Sequence, residues 1–188
     1  MNTKNLQERL QGIDIFANSP ISIELHDVKL ANEKLLAEMN MQYHTNQEML
    51  DILEQTTGQK IDPSTTVSQP FYSDFGGHIT MGKDIFINKN VTFVDLGGIT
   101  LEDKVLIGPD SRLITVNHLL DPVSRRGITV APILVKKNAW IGANVTILPG
   151  ITIGENSIIA ADSTVTKDVP ANVIVAGSPA KEVRKLDE

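Results

Sequence analysis

A six-residue period in the apolar residues most constrains the fold of this chain. The apolar positions are Met81, Ile87, Phe93, Leu101, Ile107 and Leu113 (with a two-residue slip before Leu101), then Val135, Ile141, Ile147, Ile153, Ile159 and Val165 without a break. An amphipathic helix repeats every ~3.6 residues and a strand every ~2, so neither explains the pattern. A coil of three short strands with three tight corners does. Twelve hexads predict roughly four stacked coils, with the apolar residues filling the interior.

The residues beside the hexad positions support the same architecture. Small residues follow several of the apolar positions, namely Gly82, Gly108, Gly142, Gly154 and Ala160. We expect them to leave room where a strand turns into a corner. Aromatic residues supply only 4% of the chain, which suits thin layers of Ile, Val and Leu. The fold class predicted is an all-β solenoid.

The N-terminal third has a different, helical pattern. Ser19 followed by Pro20 predicts a helix start, and Thr45 with Glu48 three residues later predicts a capping box. Gly58 is a plausible stop for the second helix. We therefore expect two short helices in a segment spanning 1–60, followed by a solenoid domain over 61–188.

Composition excludes several classes of function. The net charge is −6, which makes nucleic acid an unfavourable partner. There are no cysteines, so disulfides, a thiol nucleophile and thiolate-bound zinc are ruled out. The sequence shows neither a signal peptide nor an apolar run long enough to span a membrane. We expect a cytoplasmic protein.

The hexads are interrupted by a loop over 115–132, and His118 lies at its start. Loops that leave a rigid scaffold commonly carry function. A histidine titrates near neutral pH and can take a proton from a hydroxyl. A single loop histidine is nevertheless more often structural, so the spacing alone does not assign the role.

Four motifs resemble the hexapeptide-repeat sugar O-acetyltransferases, the group of maltose, galactoside and nodulation acetyltransferases. They are Phe71-Tyr72-Ser73-Asp74-Phe75-Gly76, the loop Thr115-Val116-Asn117-His118-Leu119-Leu120-Asp121-Pro122, the segment Asn138-Ala139-Trp140-Ile141-Gly142, and the C-terminal residues from Val165 to Lys181 that include Gly177-Ser178-Pro179-Ala180-Lys181. Bare hexads occur in many acyltransferases, whereas the His-x-x-Asp-Pro loop combined with the C-terminal motif is more specific.

The resemblance implies a left-handed parallel β-helix with N-terminal helices and an excursion loop, assembled as a homotrimer with active sites between subunits. His118 matches the general base that deprotonates an acceptor hydroxyl as it attacks acetyl-CoA directly. The backbone N–H of Ala143 is the candidate oxyanion donor. The residues that match coenzyme A contacts are Trp140, Ala143, Ala161, Thr166, Lys167, Lys181 and Arg184. No metal is implied.

On the acceptor side, Asp74, Asn88 and Asp95 match residues that line the sugar pocket. The chain departs from the galactoside enzymes at Leu96, where they have a second acid, and its loop is two residues shorter. Ser19 also stands where the family usually has Asp before the proline. The resemblance therefore predicts the reaction class and leaves the acceptor open.

Three alternatives remain. An amine-directed or xenobiotic acetyltransferase would use the same fold and a loop histidine. A γ-type carbonic anhydrase would need three histidines around zinc, and the repeats offer only His78 and His118. A non-catalytic solenoid would have no physical need for an imidazole at the point where the loop leaves the coils.

Overall fold

The computed structural model describes residues 3–186, which form three helices and eighteen short strands. The helices are α1 Thr3–Leu10, α2 Pro20–Met41 and α3 Asn46–Thr57. The strands are β1 Thr66–Val67, β2 Phe71–Ser73, β3 Ile79–Met81, β4 Phe86–Ile87, β5 Val91–Val94, β6 Ile99–Leu101, β7 Leu106–Ile107, β8 Arg112–Ile114, β9 Val116–His118, β10 Ile128–Val130, β11 Ile133–Val135, β12 Trp140–Ile141, β13 Thr146–Ile147, β14 Thr152–Ile153, β15 Ile158–Ile159, β16 Thr164–Val165, β17 Val173–Gly177 and β18 Ala180–Lys185.

Both predicted helix starts are confirmed. The Ser19 hydroxyl accepts a hydrogen bond from the backbone of Ser22, and Thr45 and Glu48 form a complete capping box. Gly58 ends α3 with a positive φ of 67°. The expectation of two short helices is wrong, because α2 runs for 22 residues and α1 precedes it. Helix α2 has a weak apolar stripe, since only three of its residues are buried, and its length was therefore not visible in the spacing.

The β region is a parallel solenoid with three flat sides. Consecutive short strands belong in turn to a seven-stranded, a five-stranded and a four-stranded sheet, and strands of successive coils pair in parallel. On the seven-stranded side Ile87, Ile107, Ile141, Ile159 and Val175 are in register, one per coil, and all are buried. The predicted period is confirmed.

Of the twelve predicted interior positions, eleven are buried and Met81 is partly buried. The solenoid is longer than the four coils predicted, because six parallel strands stack on the seven-stranded side, from β1 to β17. The first and last of these carry Val67 and Val175 in the interior. Both lie outside the regular hexads, so the spacing did not reveal them.

The corners show why small and amide side chains recur. A Cβ atom placed on Gly142 would lie 2.7 Å from the backbone nitrogen of Ala161 in the next coil, so no larger residue fits. At another corner Asn138, Asn156 and Asn172 all adopt positive φ, which Asn tolerates better than most residues. Their amides form a ladder of hydrogen bonds at 2.9 and 2.8 Å up the stack.

The helical segment packs on the solenoid rather than forming a core of its own. Met49, Leu50 and Leu53 of α3 belong to the same apolar cluster as the solenoid interior. They cover the open end of the first coil, which would otherwise expose apolar surface and unpaired backbone. A second cluster joins Leu6 and Leu10 of α1 to the base of the excursion loop.

The excursion loop is a β-hairpin. Strands β9 and β10 pair antiparallel, with His118 opposite Ile128 and Val116 opposite Val130. Within residues 3–186, no helix combines the length and the apolar character that crossing a bilayer requires.

Candidate active site

His118 lies at the end of β9, with its side chain exposed and its ring oriented by a main-chain contact. The Nδ1 atom is 2.9 Å from the carbonyl oxygen of Arg125 across the hairpin turn. A carbonyl oxygen can only accept, so Nδ1 carries the hydrogen. In the neutral imidazole, Nε2 therefore keeps its lone pair and can take a proton. This is the tautomer that a general base requires.

The turn that supplies the Arg125 carbonyl is held by Asp121. Its carboxylate accepts from the Ser124 hydroxyl at 2.8 Å and from the backbone N–H groups of Val123 and Ser124 at 3.3 Å. These bonds lower the pKa of Asp121, with the Ser124 hydroxyl contributing most. The Arg125 guanidinium also donates to the Leu120 carbonyl at 3.1 Å. The turn is thus closed at several points around the residue that orients His118.

The segment after α1 joins this hairpin through one isolated β-bridge. Ile15 and Ile128 exchange backbone hydrogen bonds of 2.8 and 2.9 Å, forming an antiparallel bridge. Residues directly opposite each other in antiparallel strands present their side chains on one face, with Cβ atoms ~5 Å apart. His118 therefore shares a face with Ile128 and Ile15.

That face borders a pocket of 510 Å³, here called the helix–hairpin pocket. Its lining residues are Ile15, Ala17, Asn18, Ser22, Ile23, Leu25, His26, Asp27, Lys29, Asp74, Phe75, Leu96, Arg126 and Ile128. The predicted acceptor residue Asp74 lies here, half-exposed and ion-paired with the Lys29 ammonium. Ile128, which stands opposite His118, lines this pocket. His118 itself lines a separate cavity of 530 Å³, together with Asp14, Asn117, Leu119, Leu120, Asp121, Ser124 and Thr129.

A third cavity, of 660 Å³, runs along the outer face of the seven-stranded sheet and is here called the sheet groove. It brings together Trp140, Ala143 and Ala161, three of the residues predicted to contact coenzyme A. Its floor is formed by an outward-facing row of residues in register from coil to coil, namely Phe86, Leu106, Trp140 and Ile158. The same register continues beyond the groove lining to Ile174 and Arg184. Arg184 therefore ends an otherwise apolar row with a positive charge.

Other residues predicted for coenzyme A lie outside this groove. Thr166 and Lys167 are exposed at the next corner, after β16 in the five-stranded sheet. Lys181 is opposite Ala176 on β18, close to the groove but not among its lining residues. A single chain therefore assembles only part of the predicted set.

The three predicted acceptor residues are not brought together. Asn88 lines the sheet groove, beside the predicted coenzyme A residues, whereas Asp74 lines the helix–hairpin pocket. Asp95 is fully buried and lines neither cavity. Its carboxylate accepts from the Ser73 hydroxyl at 2.7 Å and the Phe75 backbone at 2.9 Å, so it orders the chain that carries Asp74.

The carbonic anhydrase alternative lacks a metal site in the part of the chain that the structure describes. Among residues 3–186, no three histidine, aspartate or glutamate side chains are grouped to hold a metal ion. His78 is buried, with Nδ1 2.7 Å from the Leu96 carbonyl and its ring against Phe75. His78 is therefore a buried core histidine, whereas His118 is exposed.

The parallel solenoid, interrupted by a hairpin that carries a histidine, defines an acyltransferase of the hexapeptide-repeat class. Residues 132–167 match the family model described as bacterial transferase hexapeptide (six repeats). The galactoside O-acetyltransferase of Escherichia coli K12 is 34% identical over 166 residues, covering 87% of this chain and 82% of that protein. The chain belongs to the hexapeptide-repeat acetyltransferase family.

Two further comparisons agree with this assignment. A relative from Schizosaccharomyces pombe with a provisional acetyltransferase name is 41% identical over 138 residues. That match covers 72% of this chain but only 64% of the relative's length. A hexapeptide-repeat acetyltransferase from Vibrio cholerae, solved in complex with acetyl coenzyme A, is 33% identical with a TM-score of 0.86, covering 97% of this chain and 99% of that one.

The sequence did not reveal the groups that surround His118. The partner of its Nδ1 is a backbone carbonyl, which has no signature in the residue types. Lys29 and Arg126 are far apart along the chain and line the same pocket only because α2 and the hairpin flank it. The pairing of Ile15 with Ile128 could not be predicted either, since a single residue pair carries no period.

Proposed function

We propose that this chain is a cytoplasmic, homotrimeric O-acetyltransferase. It transfers acetyl from acetyl-CoA to a hydroxyl of a sugar or sugar-like acceptor, with His118 as general base. The observation that carries the proposal is the 2.9 Å contact between His118 Nδ1 and the Arg125 carbonyl. It leaves Nε2 unprotonated on an exposed imidazole that lines a cavity of 530 Å³, and Ile128 opposite it borders the helix–hairpin pocket.

In the proposed reaction the acceptor hydroxyl gives its proton to Nε2 of His118 as its oxygen attacks the thioester carbonyl. The new C–O bond forms and the C–S bond breaks, and the proton then passes from the imidazolium to the departing sulfur. The Arg125 carbonyl stabilises the imidazolium because it accepts from Nδ1–H in both charge states. The backbone N–H of Ala143 is the proposed donor to the oxyanion.

Acetyl-CoA supplies the acetyl group in an activated thioester, and the sheet groove suits its pantetheine arm. The groove is long and mostly apolar, and Ala143 and Ala161 keep its wall close to the backbone. Arg184 at the end of the row is placed to receive a phosphate. Lys181 lies on the same strand as Arg184, β18, and adds a second positive charge there. Thr166 and Lys167 are proposed to contact the coenzyme from the neighbouring corner.

The proposed trimer is supported by the separation of His118 from the sheet groove within one chain. His118 does not line the sheet groove, and the cavity that His118 does line has no residue in common with that groove. The outer face of the groove is also apolar and uncovered, with Leu106 and Trp140 each close to half exposed. A neighbouring subunit placed against this face would cover it and bring its own hairpin histidine to the groove.

The test is release of free thiol from acetyl-CoA with a panel of sugars, polyols and amines. His118→Ala and His118→Gln are expected to lower kcat roughly 10²- to 10⁴-fold. The matched control is His44→Ala, which removes a half-buried histidine that precedes α3 and lines neither the helix–hairpin pocket nor the sheet groove. Sugar-dependent turnover that survives His118→Ala would refute the general-base role. Turnover with amines only would replace the sugar acceptor by an amine.

A further inference from the structure

One guanidinium in the helix–hairpin pocket has no partner among the residues that the structure describes. Arg126 lines the pocket and is exposed, and its side chain makes no hydrogen bond or ion pair within residues 3–186. The adjacent Arg125 instead donates to the Leu120 carbonyl. Arginine presents a planar fork of donors that matches a carboxylate or phosphate in two parallel hydrogen bonds. An unused fork at the mouth of a pocket is suited to an anionic ligand.

The opposite wall of the pocket adds further donors. Ser22, His26 and Lys29 recur at helical spacing along α2, so they share the face that lines the pocket. The Lys29 ammonium is ion-paired with Asp74, which offsets the charge of that carboxylate. Asp27 is the other carboxylate of the lining, and among the described residues it forms no ion pair with Arg126.

The floor of the pocket is apolar. Ile15, Phe75 and Leu96 are buried there, and Ile128 lies beside them in the same cluster. An apolar floor suits the carbon face of a sugar ring, while the charged wall suits a substituent on the ring.

We propose that the helix–hairpin pocket binds an acceptor that carries an anionic group, either a carboxylate or a phosphate, on a sugar or polyol. Arg126 is the anion-binding residue, Lys29 is a second donor shared with Asp74, and the hydroxyl to be acetylated points past Ile128 to His118. This inference rests on the proposed function, because it names the class of acceptor for the same site.

The experiment compares each neutral sugar with its uronate and its 6-phosphate, using glucose and galactose as the parent sugars. Thiol release gives kcat/KM for each acceptor with wild type, Arg126→Gln, Arg126→Lys and Lys34→Gln. Lys34→Gln is the matched control, because it removes one positive charge from an exposed position of α2 outside the pocket. Saturation-transfer NMR measures binding of the same sugars without acetyl-CoA.

Wild type is expected to prefer one anionic form over its neutral parent by roughly tenfold or more. Arg126→Gln should lose roughly 10- to 100-fold in kcat/KM for that acceptor, the range for one charge-assisted pair. The same substitution should change kcat/KM for the neutral parent sugar by no more than about twofold, since that acceptor has no anionic group for the guanidinium to bind. Arg126→Lys should recover part of the loss, and Lys34→Gln should match wild type. Whether uronate or phosphate is preferred identifies the anion.

Two results would overturn the inference. One is equal kcat/KM for neutral and anionic acceptors, and the other is an equal loss for both in Arg126→Gln. The NMR arm separates this inference from the proposed function. Binding of an anionic sugar that depends on Arg126, without thiol release from any acceptor, would support the pocket and reject the acetyl transfer.

Discussion

Truncating two neighbouring residues of β11 tests the packing of the solenoid most directly. Ile133 is 1% exposed and belongs to the interior cluster, whereas Leu134 faces outward and is only partly buried. Both Ile133→Ala and Leu134→Ala remove three carbon atoms from the same strand. Both residues have partners in β6, and Leu134 also pairs with Thr152 of β14, so the outward position is the one with more backbone pairing.

The interior truncation loses about 2.4 kcal/mol of transfer free energy, at ~0.8 kcal/mol for each buried carbon removed. A cavity adds to this, because the coils above and below are fixed at ~4.8 Å and cannot close over it. We expect a loss of about 3 kcal/mol for Ile133→Ala and less than about 1 kcal/mol for Leu134→Ala. For a chain of this length the first corresponds to a Tm lower by roughly 6–12 °C.

The assay is thermal unfolding followed by circular dichroism, at one protein concentration for all variants because subunit association would shift Tm. Size-exclusion chromatography of each variant checks that the oligomeric state is unchanged. Equal Tm shifts for Ile133→Ala and Leu134→Ala would refute the assignment of alternate residues to interior and exterior. So would a larger shift for Leu134→Ala than for Ile133→Ala.

Three further perturbations have defined outcomes. Gly142→Ala should lower Tm by several degrees or prevent folding, as its Cβ would meet the Ala161 nitrogen at 2.7 Å; a Tm equal to wild type would contradict the tight corner. Asp121 has a lowered pKa through its bonds to Ser124, so the turn gains stability above pH ~4, and the gain is lost as pH falls through the folded pKa. Asp121→Asn should therefore flatten the acid side of the Tm–pH curve and lower kcat. An unchanged curve would refute the role of the Asp121 carboxylate in stabilising the turn. Thr45→Ala should cost ~1 kcal/mol in denaturant unfolding by removing the cap of α3, and Thr45→Ser should restore it.

The parts of the fold that repeat were predictable, and the parts that occur once were not. Ile141, Ile147 and Ile153 occupy equivalent interior positions, and each is confirmed by its neighbours in the coils above and below. Helix starts were also predictable, because capping uses a few side chains at fixed spacing. The extra coils at both ends, the length of α2 and the pairing of Ile15 with Ile128 depend on tertiary contacts that no local pattern records.

The same distinction explains why the candidate site divides into a predictable and an unpredictable half. Trp140, Ala143 and Ala161 were identified through the family resemblance, at positions that the period of the coils fixes in space, and the structure groups them in one groove. Acceptor residues were harder to place, as Asp95 shows. Its carboxylate is matched by position but is fully buried under Ser73 and Phe75.

The sheet groove and the helix–hairpin pocket also differ in how strongly packing constrains their residues. A groove wall made of stacked coils cannot vary freely, because each residue packs against equivalent residues ~4.8 Å above and below it. The helix–hairpin pocket is built from α2, the segment at Ile15 and the hairpin, none of which repeats. A residue such as Arg126 can therefore change without disturbing any coil. Acetyl donor and reaction type are tied to the scaffold, whereas the acceptor is decided by a few side chains that the scaffold leaves free to vary.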